Sequence, residues 1–211
     1  MSMKIGIFGG TFNPPHKGHE RLVKEFADRL ELDKVLIIPD KRPVHKTWED
    51  LVIDDMRYDM CALAFTDGKY EVSRMEIDRE SDSYTVLTLR ELKQQYPDAE
   101  FYLIIGSDMF LSFHKWYKYK EIMANCTLCV ASRTDADSVY ELRSYAFKQF
   151  RIYIDELEGD GIIISPMEPF EASSSEIRRM IKNGVDVSPL ISDKVYSYIK
   201  KRGLYGYKKK Q

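Results

Sequence analysis

One segment near the start of the chain limits the possible folds more than any other. Lys4–Phe8 is an apolar run typical of a buried strand, and the glycine pair Gly9-Gly10 ends it. From Leu22 to Leu30 apolar residues recur at helical spacing with charged residues between them, and Lys34–Pro39 is a second apolar run. Strand, helix and strand in this order predict a βαβ unit with parallel strands and a right-handed crossover.

The same alternation continues along the chain. The pattern predicts further helices at 53–65, 84–95, 119–123 and 136–150, and further strands at 70–77, 101–105, 127–131 and 162–164. A last helix is expected to begin at Pro189 and to end at a Gly203 cap. We therefore predict an α/β fold with a doubly wound parallel sheet, Rossmann-like, with a helical C-terminal part. No repeat or linker interrupts the pattern, so we expect one domain over residues 1–211.

Composition narrows the class of ligand. Hydrophobic residues make up 44% of the chain and charged residues 31%, a balance typical of folded globular proteins. The net charge of −2 gives no general attraction to nucleic acid or anionic membrane, so a small phosphorylated ligand is expected instead of a polymer. No apolar run approaches the length needed to span a bilayer, and the start of the chain lacks a signal-peptide core.

The cysteines indicate a reducing compartment. Cys61, Cys126 and Cys129 are few and odd in number, which argues against a disulfide framework and for the cytoplasm. Cys126 and Cys129 have C-x-x-C spacing within a strand-like run. Core packing is favoured there over a redox or zinc site, because no second Cys/His pair lies nearby.

The loop from Gly9 to His19, here called the glycine–histidine loop, lies where α/β folds bind ligands. Gly9 and Gly10 lack side chains, so their backbone N–H groups can approach a ligand, and the helix beginning near Gly18 offers its positive end to an anion. His16 and His19 are spaced to lie on one side of the first helical turn and to donate to the same phosphates. The loop matches neither a P-loop nor G-x-G-x-x-G, which disfavours P-loop NTPases and classical dehydrogenases.

This loop resembles the signature of the HxGH nucleotidyltransferase superfamily, and the rest of the chain is similar to the bacterial nicotinate-nucleotide adenylyltransferase family. Further segments resemble that family's motifs in the family's order. They are Arg42–Lys46 (P-P-H-K in the family), Ser83–Thr85 (S-Y-T), Ile105–Asp108 with Lys115–Lys118 (G-x-D and W-Y) and Ser173–Arg178 (S-[ST]-x-x-I-R). Together these motifs span nearly the whole chain.

The resemblance implies transfer of an adenylyl group from ATP to nicotinate mononucleotide in NAD biosynthesis. It implies catalytic roles for His16, His19 and Arg178. It implies ATP binding by Gly9, Gly10, Thr11, Phe12, His16, His19, Gly106, Asp108, Arg133, Ser174, Ile177 and Arg178. It implies acceptor binding by His45, Lys46, Tyr84, Thr85, Trp116 and Tyr117. Mg²⁺ is expected on the ATP phosphates without a carboxylate cage of the protein, and the oligomeric state is left open.

Part of the C-terminal motif Ser173–Arg178 also has a purely structural interpretation. Ser173 and Glu176 form a capping box that accounts for both residues without a ligand. Arg178 is expected in the first turn of the same helix, where positive charge is disfavoured. A polyphosphate facing Arg178 would explain its presence there.

The acceptor motifs leave alternatives open. Thr85 is expected to begin a helix, so its N–H is an orphan donor suited to the carboxylate of nicotinate. Trp116 and Tyr117 are either core aromatics or, beside Lys115 and Lys118, surface rings of which Trp116 stacks on a pyridine. Asp108 is either a helix N-cap or the carboxylate that binds the ATP ribose.

Some residues depart from the family's pattern. Asn13 stands where the family commonly has Asp, and Ser132–Asp135 replaces an Arg-Pro-Gly turn, which implies a different loop on the adenine side. Residues 156–161 are extra and are expected to form a surface loop. The rival functions are the same chemistry on nicotinamide mononucleotide or phosphopantetheine, and a nucleotide-binding regulator without turnover. A tRNA synthetase is disfavoured, since no K-M-S-K-S-like loop or basic face is present.

Overall fold

The computed structural model describes residues 2–41, 51–133, 135–170 and 172–208. Its strands are β1 (Lys4–Gly10), β2 (Lys34–Pro39), β3 (Tyr70–Val72), β4 (Glu100–Gly106), β5 (Thr127–Arg133), β6 (Ile154–Asp155), β7 (Glu158–Gly159) and β8 (Ile162–Met167). Its helices are α1 (Lys17–Arg29), α2 (Asp54–Ala64), α3 (Thr85–Gln95), α4 (Ser107–Phe110), α5 (Tyr119–Met123), α6 (Ala136–Phe150), α7 (Ser174–Lys182) and α8 (Asp193–Arg202). Two 3-10 turns lie at Phe113–Lys115 and Leu204–Gly206.

Within these described ranges the strands form one eight-stranded sheet in the order β3-β2-β1-β4-β5-β8-β7-β6. The pairs β1–β4, β4–β5 and β5–β8 are parallel, with Ile5 opposite Phe101, Leu103 opposite Leu128 and Val130 opposite Ile164. The central strands are continuous apolar runs because helices cover both faces of such a sheet. The predicted α/β fold with a mostly parallel sheet is confirmed.

The chain divides into two compact units, and each is built from segments distant in sequence. Unit 1 comprises Met1–Phe8, Leu22–Leu36 and Tyr84–Pro169. Its core is formed by buried residues of the central strands, such as Ile104 and Val130.

Unit 2 comprises Gly9–Arg21, Ile37–Ser83 and Phe170–Gln211. In it α8 lies against α2, and the Tyr198 hydroxyl donates to Asp59 Oδ2 at 2.7 Å. The glycine–histidine loop belongs entirely to unit 2, so its contacts within that unit define the candidate site.

The strand predicted at 70–77 is shorter than expected, since β3 ends at Val72. Ser73 N–H still donates to Ile37 O at 2.9 Å, but the chain then turns, and Asp78 N–H donates to Arg74 O. Arg74 holds this turn through ion pairs with Asp55 and Asp78 at 2.8 and 3.2 Å. The turn and its ion pairs therefore replace the end of the extended segment that the sequence suggested.

Two further expectations need correction. The segment 156–161, expected as a surface loop, includes β7, which pairs antiparallel with both β6 and β8 at the end of the sheet. The last helix begins at Asp193 instead of Pro189, because the Ser192 side chain caps it by accepting from Val195 N–H at 3.3 Å. Its end is as predicted, with Gly203 in the left-handed conformation.

Cys126 and Cys129 are both buried and unbridged, in line with the core-packing interpretation. Burial raises the pKa of the Cys126 thiol to about 12 and that of Cys129 further still, so neither side chain is a reactive thiolate at neutral pH. In the described part of the chain, no helix is both long and apolar enough to cross a membrane.

Candidate active site

The glycine–histidine loop connects β1 to α1, and its middle part is buried. Thr11, Phe12, Asn13 and His16 are each less than a tenth exposed, whereas Gly9 is exposed. A Cβ atom added at Gly9 would come within 4 Å of Ile38 O alone, at 3.9 Å, so the backbone there lies open to a ligand. The loop thus combines a fixed interior with an accessible backbone edge.

The two histidines lie face to face at the start of α1. Their ring centroids are 3.6 Å apart with an interplanar angle of 24°. His16 N–H donates to His19 Nδ1 at 3.1 Å, which is one half of a capping box, with His19 at the third helical position. Because Nδ1 accepts this bond, the neutral His19 ring carries its proton on Nε2 and can donate from that atom.

Burial changes the charge state of His16. It lowers the pKa of the imidazole to about 4, so the ring is neutral at pH 7 and has one N–H to donate. Its Nδ1 is buried and finds no hydrogen-bond partner among the described residues. An unpaired buried N–H is costlier than an unpaired acceptor, so the proton is expected on Nε2 in this ring as well.

Helix α7 brings Arg178 and Ser174 to the loop. The Arg178 Nη1 donates to Asn13 O at 2.9 Å and the Ser174 hydroxyl donates to Pro14 O at 2.9 Å. The expectation of Arg178 in the first turn is wrong, since α7 begins at Ser174 and Arg178 is its fifth residue. Arg178 Nε is buried without a partner in the described structure, so the guanidinium retains donor capacity.

The predicted capping box of α7 is present. Ser173 N–H donates to Glu176 Oε2 at 2.7 Å, and Glu176 N–H donates to Ser173 Oγ at 3.2 Å. Ile177, which the family resemblance placed at ATP, is completely buried in the core. Its side chain is therefore not available to a ligand, and its N–H donates to Ser173 O at 3.0 Å, so Ile177 anchors α7 beside Arg178.

A buried arginine braces the first half of the loop. The Arg57 side chain has no exposed surface, and its Nη1 donates to Thr11 O at 2.7 Å and to Asp40 Oδ1 at 3.0 Å. Its Nη2 donates to Asp54 Oδ1 at 2.7 Å, and Thr11 Oγ1 donates to Asp40 Oδ2 at 2.8 Å. One guanidinium thus connects the loop to α2 and to the residue after β2.

The C-terminal part of unit 2 fixes Asn13. The Tyr205 hydroxyl donates to Asn13 Oδ1 at 2.7 Å, and Val52 N–H donates to the same oxygen at 3.3 Å. Burial raises the pKa of the Tyr205 hydroxyl, so it remains a donor at any physiological pH. The amide that replaces the family's common Asp is therefore engaged as an acceptor.

The predicted acceptor residues near 84 and 116 belong to unit 1. Thr85 is the first residue of α3, and no side chain caps this helix at Tyr84. The Tyr84 and Tyr117 rings lie 4.9 Å apart, and Tyr117 is half exposed. Trp116 is half-buried with its ring 5.0 Å from that of Phe113, so it is neither a core residue nor fully exposed.

Gly106, Asp108 and Arg133 also belong to unit 1, at the ends of β4 and β5. Asp108 is exposed and is the second residue of α4, whereas Gly106 occupies the N-cap, so the N-cap alternative for Asp108 is wrong. A Cβ atom at Gly106 would lie 2.8 Å from Asp108 Oδ1, so a larger residue there would shift the Asp108 carboxylate. Arg133 is the last residue of β5, and Asp135 caps α6 by accepting from Ser138 N–H at 2.7 Å.

Comparison with known proteins identifies the family to which the chain belongs. Residues 7–180 match the family model described as cytidylyltransferase-like. A probable nicotinate-nucleotide adenylyltransferase of Geobacter sulfurreducens is 38% identical over 97% of this chain and 99% of its own. The chain belongs to the nicotinate-nucleotide adenylyltransferase family. Relatives of the same name from Fusobacterium nucleatum (38% identical, 94% of this chain and 98% of theirs) and Clostridium tetani (34%, 96% and 98%) agree.

Solved structures confirm the nucleotidyltransferase fold. A Plasmodium falciparum nicotinic acid mononucleotide adenylyltransferase complexed with NaAD has a TM-score of 0.75 at 20% identity, covering 98% of both chains. A putative nicotinate-nucleotide adenylyltransferase from Vibrio parahaemolyticus has a TM-score of 0.67 at 22% identity, covering 96% of this chain and 95% of the other. The family resemblance inferred from the motifs is confirmed by the relatives of 34–38% identity, and the solved structures confirm the fold.

For this adenylyltransferase family member, sequence reasoning missed Arg57 and Tyr205. Arg57 had a signal, because it lies on the helical face that also carries Met60, Cys61 and Ala64. An arginine on an apolar face is expected to be buried with partners. Tyr205 had none, since its partner Asn13 is 192 residues away in sequence.

Two site predictions lie outside the described residues, namely those for His45 and Lys46. In the ranges that are described, no group of three or more His, Cys, Asp or Glu side chains is placed to hold a metal ion. The side chains that converge on the glycine–histidine loop are instead nitrogen donors, His16, His19 and Arg178, which suit phosphate oxygens.

Proposed function

We propose that this enzyme joins ATP and nicotinate mononucleotide to give nicotinate adenine dinucleotide and pyrophosphate, in NAD biosynthesis. The observation that carries the proposal is the loop on which His16 and His19 lie face to face beside Arg178. This loop occurs in a chain 34–38% identical, along nearly its whole length, to proteins named for that reaction.

The reaction needs no covalent intermediate. A phosphate oxygen of nicotinate mononucleotide attacks the α-phosphorus of ATP, and the bond from that phosphorus to the β-phosphate oxygen breaks. Negative charge develops on the α-phosphoryl oxygens and on the departing pyrophosphate. Catalysis therefore comes from alignment and from donors aimed at this charge.

We assign that role to His16, His19 and Arg178. The two imidazoles are stacked, and with Nδ1 of His19 accepting from His16 N–H and Nδ1 of His16 unpaired, each ring has its proton on Nε2 and supplies one donor. Arg178 supplies the positive charge and is already held by Asn13 O. A neutral His16 donates without needing a proton from solvent, so its role persists at pH 7.

The remaining ATP contacts are proposals of the same kind. The open backbone at Gly9 suits phosphate oxygens, with Gly10 beside it packed on the Phe12 ring, and the exposed carboxylate of Asp108 suits the ribose hydroxyls. Thr11 and Phe12 shape the loop from inside, since both are buried. Gly106, Arg133, Ser174 and Ile177 keep the ATP-binding roles that the family implies.

We assign the acceptor to Thr85 and Trp116, with Tyr84 and Tyr117 alongside. The uncapped start of α3 leaves the Thr85 N–H suited to the carboxylate of nicotinate. One side of the Trp116 ring rests near Phe113, which backs it for stacking on a pyridine. His45 and Lys46 are proposed to bind the acceptor's phosphate.

Mg²⁺ is proposed to arrive on the ATP phosphates. Oxygen ligands are what this ion prefers, and the loop offers nitrogen donors, so the protein residues fit the phosphates and not the metal itself. When bound, the ion neutralises charge on the polyphosphate.

The proposed reaction partners are small molecules, and neither nucleic acid nor a membrane is proposed to take part. The three unbridged cysteines favour the cytoplasm as the compartment in which the enzyme works.

Pyrophosphate release tests the proposal. Purified protein is incubated with ATP, Mg²⁺ and one acceptor at a time: nicotinate mononucleotide, nicotinamide mononucleotide or phosphopantetheine. We expect fast release with the first and formation of the corresponding dinucleotide by mass spectrometry. No release with any acceptor would refute the enzyme assignment, whereas a preference for the amide would refute only the role of Thr85.

A further inference from the structure

A third aromatic ring completes the histidine stack. The Phe170 ring lies 5.1 Å from that of His16, centroid to centroid, and the two planes differ by 8°. The His19 ring stacks on His16 as well, at 3.6 Å and 24°. The His16 imidazole therefore stacks on two aromatic rings, which restrict its orientation.

The absence of a side chain at Gly18 leaves space for the Phe170 ring. A Cβ atom at Gly18 would lie 2.6 Å from Phe170 Cδ1 and 3.0 Å from His16 Cε1, closer than real Cβ contacts. Gly18 is therefore required for this packing. The outer rings are held too, with the Arg21 guanidinium carbon 5.6 Å from the Phe170 centroid and Phe12 edge-on to His19 at 5.2 Å.

We propose that Phe170 is a positioning residue that fixes the plane of the His16 imidazole for phosphate binding. This inference rests on the proposed function, because it takes His16 to donate to the ATP phosphates. Phe170 itself carries no group that bonds a phosphate. Its contribution is to restrict rotation of His16 about its side-chain bonds, which keeps the Nε2 donor in one direction.

The hydrogen-bonding pattern explains why His16 needs such help. His19 is oriented by the bond that its Nδ1 accepts from His16 N–H, whereas the Nδ1 of His16 finds no partner among the described residues. A catalytic histidine is commonly oriented by a hydrogen bond at its second nitrogen. In this chain two ring faces replace that bond, and a misplacement of about 1 Å can cost about 100-fold in rate.

Phe170→Leu tests the inference, with Phe170→Tyr as the conservative variant. Leucine keeps an apolar side chain but removes the ring, whereas tyrosine keeps the ring. We expect Phe170→Leu to lower kcat at least 10-fold with the KM for ATP changed less than 3-fold, and Phe170→Tyr to restore most of kcat. Phe147→Leu, at a half-exposed ring of α6, is the matched control and is expected to leave kcat unchanged.

The stack also has a spectroscopic signature that needs no turnover. We expect the Phe170 ring current to shift the ring C–H signals of His16 upfield, and these signals are assignable because the chain has only four histidines. We expect Phe170→Leu to lose that shift and Phe170→Tyr to keep it. Unchanged His16 signals or unchanged kcat in Phe170→Leu would overturn the inference, and so would a Phe170→Tyr variant as slow as Phe170→Leu. Failure of the proposed function would appear differently, as absence of pyrophosphate release from the native protein.

Discussion

The glycine–histidine loop and the segment around Trp116 are held in different ways. In the loop, a completely buried arginine, a buried tyrosine hydroxyl and stacked rings fix the backbone and the imidazoles. Around Trp116 the ring rests on Phe113, Tyr117 is half exposed, and no side chain caps the adjoining 3-10 turn. Donors that stabilise developing charge are effective when they are fixed in advance, whereas stacking on a flat ring tolerates adjustment.

The largest effect is expected from removing the brace of the loop. Arg57→Met leaves Asp40 and Asp54 without their buried partner, so we expect a loss of about 3–5 kcal/mol in the free energy of unfolding. Urea denaturation measures this. Arg74→Met is the matched control, because Arg74 also pairs with two carboxylates but is 40% exposed, and it should cost at most about 1 kcal/mol. Equal losses in the free energy of unfolding would show that buried Arg57 stabilises the protein no more than the exposed Arg74 does.

Removing a fixed donor should affect turnover and not stability. We expect His19→Ala to lower kcat by about 100- to 1000-fold, the usual effect of losing one donor to a developing oxyanion. The melting temperature should stay close to that of the native protein. His114→Ala, outside the loop, serves as the control in steady-state assays. A His19→Ala variant as active as the native enzyme would refute the role given to His19.

The buried state of His16 should make stability depend on pH. The folded-state pKa is about 4 and the unfolded value about 6.5, so the unfolded chain binds more protons between these values. The stability is therefore fully present above pH 6.5 and is lost as pH falls toward 4, by about 2–3 kcal/mol at pH 4.5. Urea denaturation of native protein and His16→Gln between pH 7 and 4.5 measures it. Parallel pH dependences would mean that His16 is not buried in the neutral form.

The smallest effect is expected in the Trp116 segment. Trp116→Leu removes a stacking surface worth about 1–3 kcal/mol, so the KM for nicotinate mononucleotide should rise about 10-fold or more while the KM for ATP stays the same. Trp116→Phe should show a smaller rise because a ring remains. Tyr140→Leu, at a highly exposed ring of α6, is the control. An unchanged KM for nicotinate mononucleotide in Trp116→Leu would show that Trp116 does not bind the acceptor and has only a structural role.

The fold was predictable where one local pattern decided the structure. Long apolar strands such as β4 and the periodic helices α1 and α6 appear where the sequence places them. β7 was missed because two residues with an exposed glutamate carry no apolar pattern. β3 was overestimated because the Arg74 ion pairs that turn the chain are not visible as a local propensity.

The motifs of the candidate site were predictable from sequence, but the contacts that hold their side chains in place were not. The glycine–histidine loop and Arg178 were identified from sequence, and the structure brings them within hydrogen-bond distance. The neutral state of His16 depends on burial, and Phe170 contributes only a ring face, so neither follows from residue type. The single-domain expectation and the roles of the individual site residues stay predictions.

The contacts of the glycine–histidine loop also dictate when it can be completed during synthesis. Pro14 and Asn13 are bound by Ser174, Arg178 and Tyr205, which follow them by 160, 165 and 192 residues. A ribosome makes the loop among the first residues and its partners among the last. The nascent chain can therefore form the Arg57 contacts of the loop early, whereas the contacts from Ser174, Arg178 and Tyr205 must wait for long-range closure near the end of translation.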